Sequence, residues 1–310
     1  MTAVAVASAV TTSAAAAAPT SSARTFAKRV NIGNGRSMYI ECRGKGSPTV
    51  LLLSGLLGAS DLWHAADQKP PTVYGSVARS TRVCAYDRPG TFRSDGELSR
   101  SDPVPQPTTT RNAVADLDAL LEAADVPGPY VLAAHSYGGL IARVFASEHP
   151  DEVKGIVFVD ALAPEVRAHM TPEEWTTWKQ FNGPRPAMIE DYPAIERIDF
   201  DESLDAVVAA APVRPMPVAV LTASHKWAEE LPKLIDAGQL PPDTPRDFGT
   251  VMDRVWTAAQ NDLAALVPGA VHITNTHSGH NIMIENAPAV IRSIRRVINA
   301  VRAGRSAVKV

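Results

Sequence analysis

Tyr130-Val131-Leu132-Ala133-Ala134-His135-Ser136-Tyr137-Gly138-Gly139-Leu140-Ile141 is the stretch on which the reading turns. An apolar run of β type ends at a serine with very small residues near it, and an apolar-periodic helix starts at once. A chain presents a nucleophilic serine this way, on a sharp strand-to-helix turn. The turn needs small residues two positions before and two after the serine, because larger side chains collide as the backbone folds back. Ala134 and Gly138 fill those positions. Glycine is usual at both, so Ala134 departs by one methyl group. A helix beginning at Tyr137 aims its first amides at the serine, where negative charge would develop. The plain alternative is a serine N-cap on an ordinary βα turn.

Outward from this turn, short apolar runs alternate with amphipathic helical runs. Strands are predicted near 26–32, 37–43, 49–54, 81–86, 129–134, 155–160, 216–222 and 270–275. The central ones are almost continuously hydrophobic, as in Thr49-Val50-Leu51-Leu52-Leu53. Strands buried on both faces of a parallel sheet read like this. Helices are predicted over 109–124, where Val114, Leu117, Leu120 and Leu121 recur at helical spacing, and over 287–303. Two stretches interrupt the alternation: 164–213, with Met170, Trp175, Trp178, Phe181, Met188 and Tyr192, and the Pro-rich 225–248.

The 310 residues, 45% of them hydrophobic, suit one large α/β domain with an insertion. A net charge of −3 and no basic stripe argue against a nucleic-acid partner. Beyond the N-terminus no run of 18 apolar residues suggests a membrane span. Residues 1–23 carry no charge and are mostly Ala, Val, Ser and Thr. We therefore set 1–24 apart from a domain at 25–310. The segment reads as the remnant of a secretory signal, with Ala16-Ala17-Ala18 as its cleavage region, although a basic n-region is missing. A disordered Ala-rich tail is the alternative.

A serine hydroxyl needs a base to take its proton, and that base needs a carboxylate to orient it. His280, in Thr276-His277-Ser278-Gly279-His280-Asn281, lies between the last strand and the last helix and is the best base; His277 is the runner-up. His135 adjoins the serine, but alternation along a strand sends neighbouring side chains apart, so it reads as a packed residue. Asp160 ends the strand after the serine's helix and is the preferred acid, with Glu229 and Glu230 as alternatives. An oxyanion needs two backbone N–H groups aimed at one point. Tyr137 supplies one, and Leu56 in Ser54-Gly55-Leu56-Leu57-Gly58 the other. The chain has no cysteine cluster, metal-ligand spacing or nucleotide loop, so no metal or other cofactor is expected.

Together with Ala85-Tyr86-Asp87-Arg88-Pro89-Gly90 and the terminal Glu285-Asn286-Ala287-Pro288, these motifs resemble the α/β-hydrolase superfamily, in its cap-bearing serine esterase and lipase-like branch, over about 25–305. The resemblance implies a mostly parallel eight-stranded sheet with helices on both faces and a cap insertion at about 164–213. It also implies that the strands of Cys42 and Cys84 are neighbours. The two thiols then pair as a disulfide, which suits export, or stay as two small buried hydrophobes. Asp87 and Arg88 read as a structural, ion-paired turn. The aromatic and Met residues of the insertion line a pocket or pack the cap onto the core. Ser54 stands where the family often has a histidine. The function expected is a secreted serine hydrolase cleaving a small-molecule carboxylic ester through an acyl-enzyme. Lactone, amide or C–C hydrolysis and acyl transfer use the same residues, and a non-catalytic binding protein is the alternative of another kind.

Overall fold

The computed structural model describes residues 25–65, 71–238, 240 and 244–308. The segment read as a signal remnant, 1–24, lies outside the described residues. The strands are β1 (Phe26–Gly33), β2 (Arg36–Arg43), β3 (Thr49–Leu53), β4 (Val83–Tyr86), β5 (Tyr130–His135), β6 (Val153–Val159), β7 (Val218–Leu221) and β8 (Val271–Ile273). They form one eight-stranded sheet in the order β1-β2-β4-β3-β5-β6-β7-β8. Pairing is antiparallel in β1–β2 and β2–β4, and parallel from β4 to β8. Cys42 lies opposite Cys84 across β2 and β4, and the two are joined as a disulfide.

The helices are α1 (Val73–Val77), α2 (Thr110–Ala123), α3 (Gly138–Glu148), α4 (Glu165–Ala168), α5 (Pro172–Asn182), α6 (Pro186–Asp191), α7 (Phe200–Ala209), α8 (Trp227–Asp236), α9 (Phe248–Ala264), α10 (Ile282–Glu285) and α11 (Ala287–Arg302). Even the continuously apolar strands divide by alternation. Leu51, Leu53, Leu132, Ile156 and Phe158 pack in the layer of α2, α3 and α9, whereas Val50, Leu52, Val131, Val157 and Val159 pack in the layer of α1 and α11. Helix α2 begins with a reciprocal cap: Asn112 N–H donates to Thr109 Oγ1, and Thr109 N–H donates to Asn112 Oδ1. On α11, Val290, Ile294 and Val297 are fully buried. Each such side chain contributes about 1.5–3 kcal/mol, so a polar residue at any of them would remove much of a typical domain's stability.

Helices α4 to α7 lie between β6 and β7, within the stretch where the sequence breaks its alternation. Helices α8 and α9 precede β8. Among the described residues, no helix is long and apolar enough to cross a membrane.

Candidate active site

Ser136 follows the last residue of β5 and has φ +50°. A non-glycine residue in the left-handed region costs about 1–3 kcal/mol and persists only where its surroundings force it. Here the neighbours are small by necessity. A Cβ on Gly138 would stand 2.4 Å from the Leu53 carbonyl oxygen. Ala134 keeps its methyl group and is fully buried, so the two sides of the turn differ in how much room they have. A Cβ on Gly55 would stand 2.9 Å from Ser136 Cβ, so the loop after β3 lies directly against the serine.

Asp160 follows the end of β6, the neighbour of β5, also at positive φ. Its Oδ2 lies 2.6 Å from His280 Nδ1. Its Oδ1 accepts from Ala223 N–H at 2.8 Å and from Trp256 Nε1–H at 2.9 Å. The fully buried carboxylate is thus compensated by donors from three separate segments, as burial of a charge requires. A carboxylate at Nδ1 selects the tautomer protonated there and leaves Nε2 bare, which is the form a general base needs. Ser136 and His280 both line each of two cavities. Ser136, Asp160 and His280 sit beyond the C-terminal ends of β5, β6 and β8, where open α/β sheets bind ligands.

The alternatives lie elsewhere. Glu229 is exposed on α8, and Glu230 accepts from Lys233 Nζ at 2.8 Å. The inward face of that helix is taken by Trp227 and Leu231. His277 is exposed. His135 is packed, as expected, but in the wall of the site. Its Nε2 lies 3.1 Å from the His280 carbonyl oxygen, and its ring centroid is 4.7 Å from that of His280. The alternation argument stops applying at the strand's last residue, because Ser136 leaves the extended backbone. Burial, reinforced by His280, holds the His135 pKa well below 6.5, so the ring is neutral and its Nε2–H donates to that carbonyl.

Among the described residues, neither the Leu56 nor the Tyr137 amide donates to a protein acceptor. The next amide, Leu57 N–H, donates to Glu196 Oε2 at 2.6 Å. Asp87 and Arg88 do not pair with each other: Asp87 binds Arg100 and Arg88 binds Glu196, both at 2.7 Å. Burial opposes the Arg88 charge, but the adjoining Glu196 carboxylate outweighs it and raises the pKa above the usual arginine value.

The two cavities differ. One, of about 70 Å³, is walled by Trp178, Phe200, Trp227 and Trp256 beside Leu56 and Tyr137. The other, of about 620 Å³, is wider and carries Arg93, Ser94, Arg185 and Asn281. Phe181 lines both, and Met188 the wide one. Trp175 instead stacks on Trp178 with centroids 4.8 Å apart, and Tyr192 meets Phe92 edge-on. The insertion's aromatics therefore divide between pocket and packing. Trp227 and Trp256 lie outside 164–213, and sequence reasoning missed both.

The family described as alpha/beta hydrolase fold matches residues 48–215, more than half of the chain. The chain belongs to the alpha/beta hydrolase family. This alpha/beta hydrolase is 48% identical over 85 residues to an uncharacterized protein of Schizosaccharomyces pombe, covering 27% of this chain and 15% of that one. It is 31% identical over 126 residues to the putative carbamate hydrolase RutD of Serratia proteamaculans, covering 40% of this chain and 42% of that protein. It thus spans less than half the length of these curated relatives. A putative lipase structure from Acinetobacter baumannii superposes with a TM-score of 0.57 at 19% identity, covering 91% of this chain and 94% of the lipase; the likeness is one of fold.

Proposed function

We propose that this alpha/beta hydrolase is a serine hydrolase cleaving carboxylic esters through an acyl-enzyme on Ser136. The observation that carries the reading is the 2.6 Å contact between His280 Nδ1 and Asp160, with His280 and Ser136 lining the same cavities. Ser136 attacks the ester carbonyl while His280 Nε2 takes its proton. Asp160 stabilises the resulting imidazolium without itself becoming protonated. The amides of Leu56 and Tyr137 hold the oxyanion. His280 then protonates the leaving alcohol, and water attacks the acyl-enzyme by the same steps. The unequal cavities favour esters with one short and one bulky substituent. Likeness to a putative carbamate hydrolase supports including carbamates among the substrates tested. The Cys42–Cys84 disulfide supports an oxidising compartment and hence export.

A fluorophosphonate probe tests the reading. It should label the purified protein and fail to label Ser136→Ala. Two ester series, one varying the acyl chain and one the alcohol, should show a steep fall in kcat/KM with length in one series only. Folded protein that neither takes the label nor turns over any ester would overturn the proposal.

A further inference from the structure

Arg88 and Glu196 form a sealed ion pair whose side chains are 4% and 2% exposed. Sealing two charges costs several kcal/mol of desolvation each, and their attraction repays little more than that. Stability alone is therefore a weak reason for the pair. Its remaining hydrogen bonds all go to one loop. Arg88 Nη1 donates to the Ser54 carbonyl at 2.8 Å and Nη2 to the Gly55 carbonyl at 2.6 Å. Glu196 Oε2 accepts from Leu57 N–H at 2.6 Å.

A trans peptide unit is planar, with its C=O and N–H pointing in opposite directions. Gly55 C=O and Leu56 N–H belong to one such unit. Arg88 holds the oxygen on one side, which aims the Leu56 N–H to the other. Leu57 N–H belongs to the following unit, and Glu196 holds that. Both peptide planes flanking Leu56 are thus held by one pair, the first with help from Gly58 N–H, which donates to the same Gly55 oxygen at 3.1 Å. A cation on the Gly55 oxygen also polarises the unit and strengthens its N–H as a donor. Glu196 comes from the link between α6 and α7, and its own N–H donates to the Gly90 carbonyl at 2.9 Å. The β6–β7 insertion therefore reaches the loop through this residue.

We infer that Arg88 and Glu196 are positioning residues that aim the Leu56 amide at the oxyanion, and that the β6–β7 insertion completes the oxyanion site through Glu196. The inference rests on the serine hydrolase reading above.

The test uses Arg88→Lys, Glu196→Gln and the double variant Arg88→Met/Glu196→Leu. Lysine keeps the charge but lacks the fork that reaches Glu196 and two carbonyls together. The double variant replaces the buried pair by apolar groups, a change that proteins often tolerate in stability. With p-nitrophenyl acetate, kcat should fall about ten- to a hundredfold in Arg88→Lys and in the double variant, with KM within about twofold, since losing a whole oxyanion donor costs about a hundred- to a thousandfold. Affinity for an alkylboronic acid, which presents a tetrahedral oxyanion, should fall by the same factor. Glu196→Gln keeps an acceptor for Leu57 and should lose less. Folded variants with unchanged kcat, or with unchanged boronate affinity, would overturn the inference. Wild-type protein that takes no fluorophosphonate label would instead remove the hydrolase reading and this inference with it.

Discussion

Asp160–His280 and Arg88–Glu196 are both short pairs, at 2.6 and 2.7 Å, but solvent reaches them differently. The His280 side chain is 26% exposed into the cavities while its carboxylate is sealed. Arg88 and Glu196 are sealed on both sides. A group that exchanges a proton with a substrate must be reachable. A group that only holds a backbone in place gains from being unreachable, because water cannot compete for its hydrogen bonds. In the proposed reaction the open pair moves protons and the closed pair sets an angle.

The comparison breaks most sharply at Asp160. Asp160→Asn should lower kcat about ten-thousandfold with little change in KM, because the amide no longer selects the productive tautomer. Glu229→Gln should leave steady-state kinetics unchanged, and the opposite pattern would reassign the acid. Loss of the closed pair should cost less than loss of Asp160, since it misdirects a donor without removing it. Trp256→Phe sharpens the comparison further. It removes one of the three groups around the Asp160 carboxylate while keeping an aromatic wall, and kcat should fall about tenfold, the scale of one hydrogen bond to a charged group.

The smallest effect concerns His135. Its folded pKa is depressed, so the unfolded chain binds the extra proton first as pH falls. The neutral ring's contribution to stability is therefore present above about pH 6.5 and lost as pH falls below it, by up to about 1.4 kcal/mol per pH unit. His135→Gln keeps a donor for the His280 carbonyl and should flatten the fall in Tm between pH 6.5 and 5. A slope unchanged by this substitution would assign the dependence to other groups.

The sheet was legible because its central strands are unbroken apolar runs, and the turn at Ser136 because sterics leave so few residues able to form it. The nearness of Asp160 to His280 was legible because each follows the end of a parallel strand at one edge of the sheet; chain order by itself admits Glu229 and His277 as well. Trp256 was not legible, since a tryptophan on an amphipathic helix reads as core until its N–H is seen to reach a carboxylate. Glu196 was hidden for another reason. Its partner lies 108 positions away, and no local pattern marks a residue whose role is to touch a distant loop. His135 was read correctly as packed, but sending its side chain away from Ser136 carried the alternation rule one residue beyond the strand it describes.

Strand β8 has three residues, all half-buried, and sits at the open edge of the sheet, with His280 in the loop that follows it. Ser136 and Asp160 hang instead from β5 and β6, whose residues are almost all buried and paired on both sides. Sheet edges with few apolar contacts open at lower free energy than sheet centres. Local fraying of this one margin would carry His280, the proposed base, away while Ser136, Asp160 and most of the backbone stay folded. On gentle warming the proposed hydrolysis should stop before the protein melts, and resume on cooling.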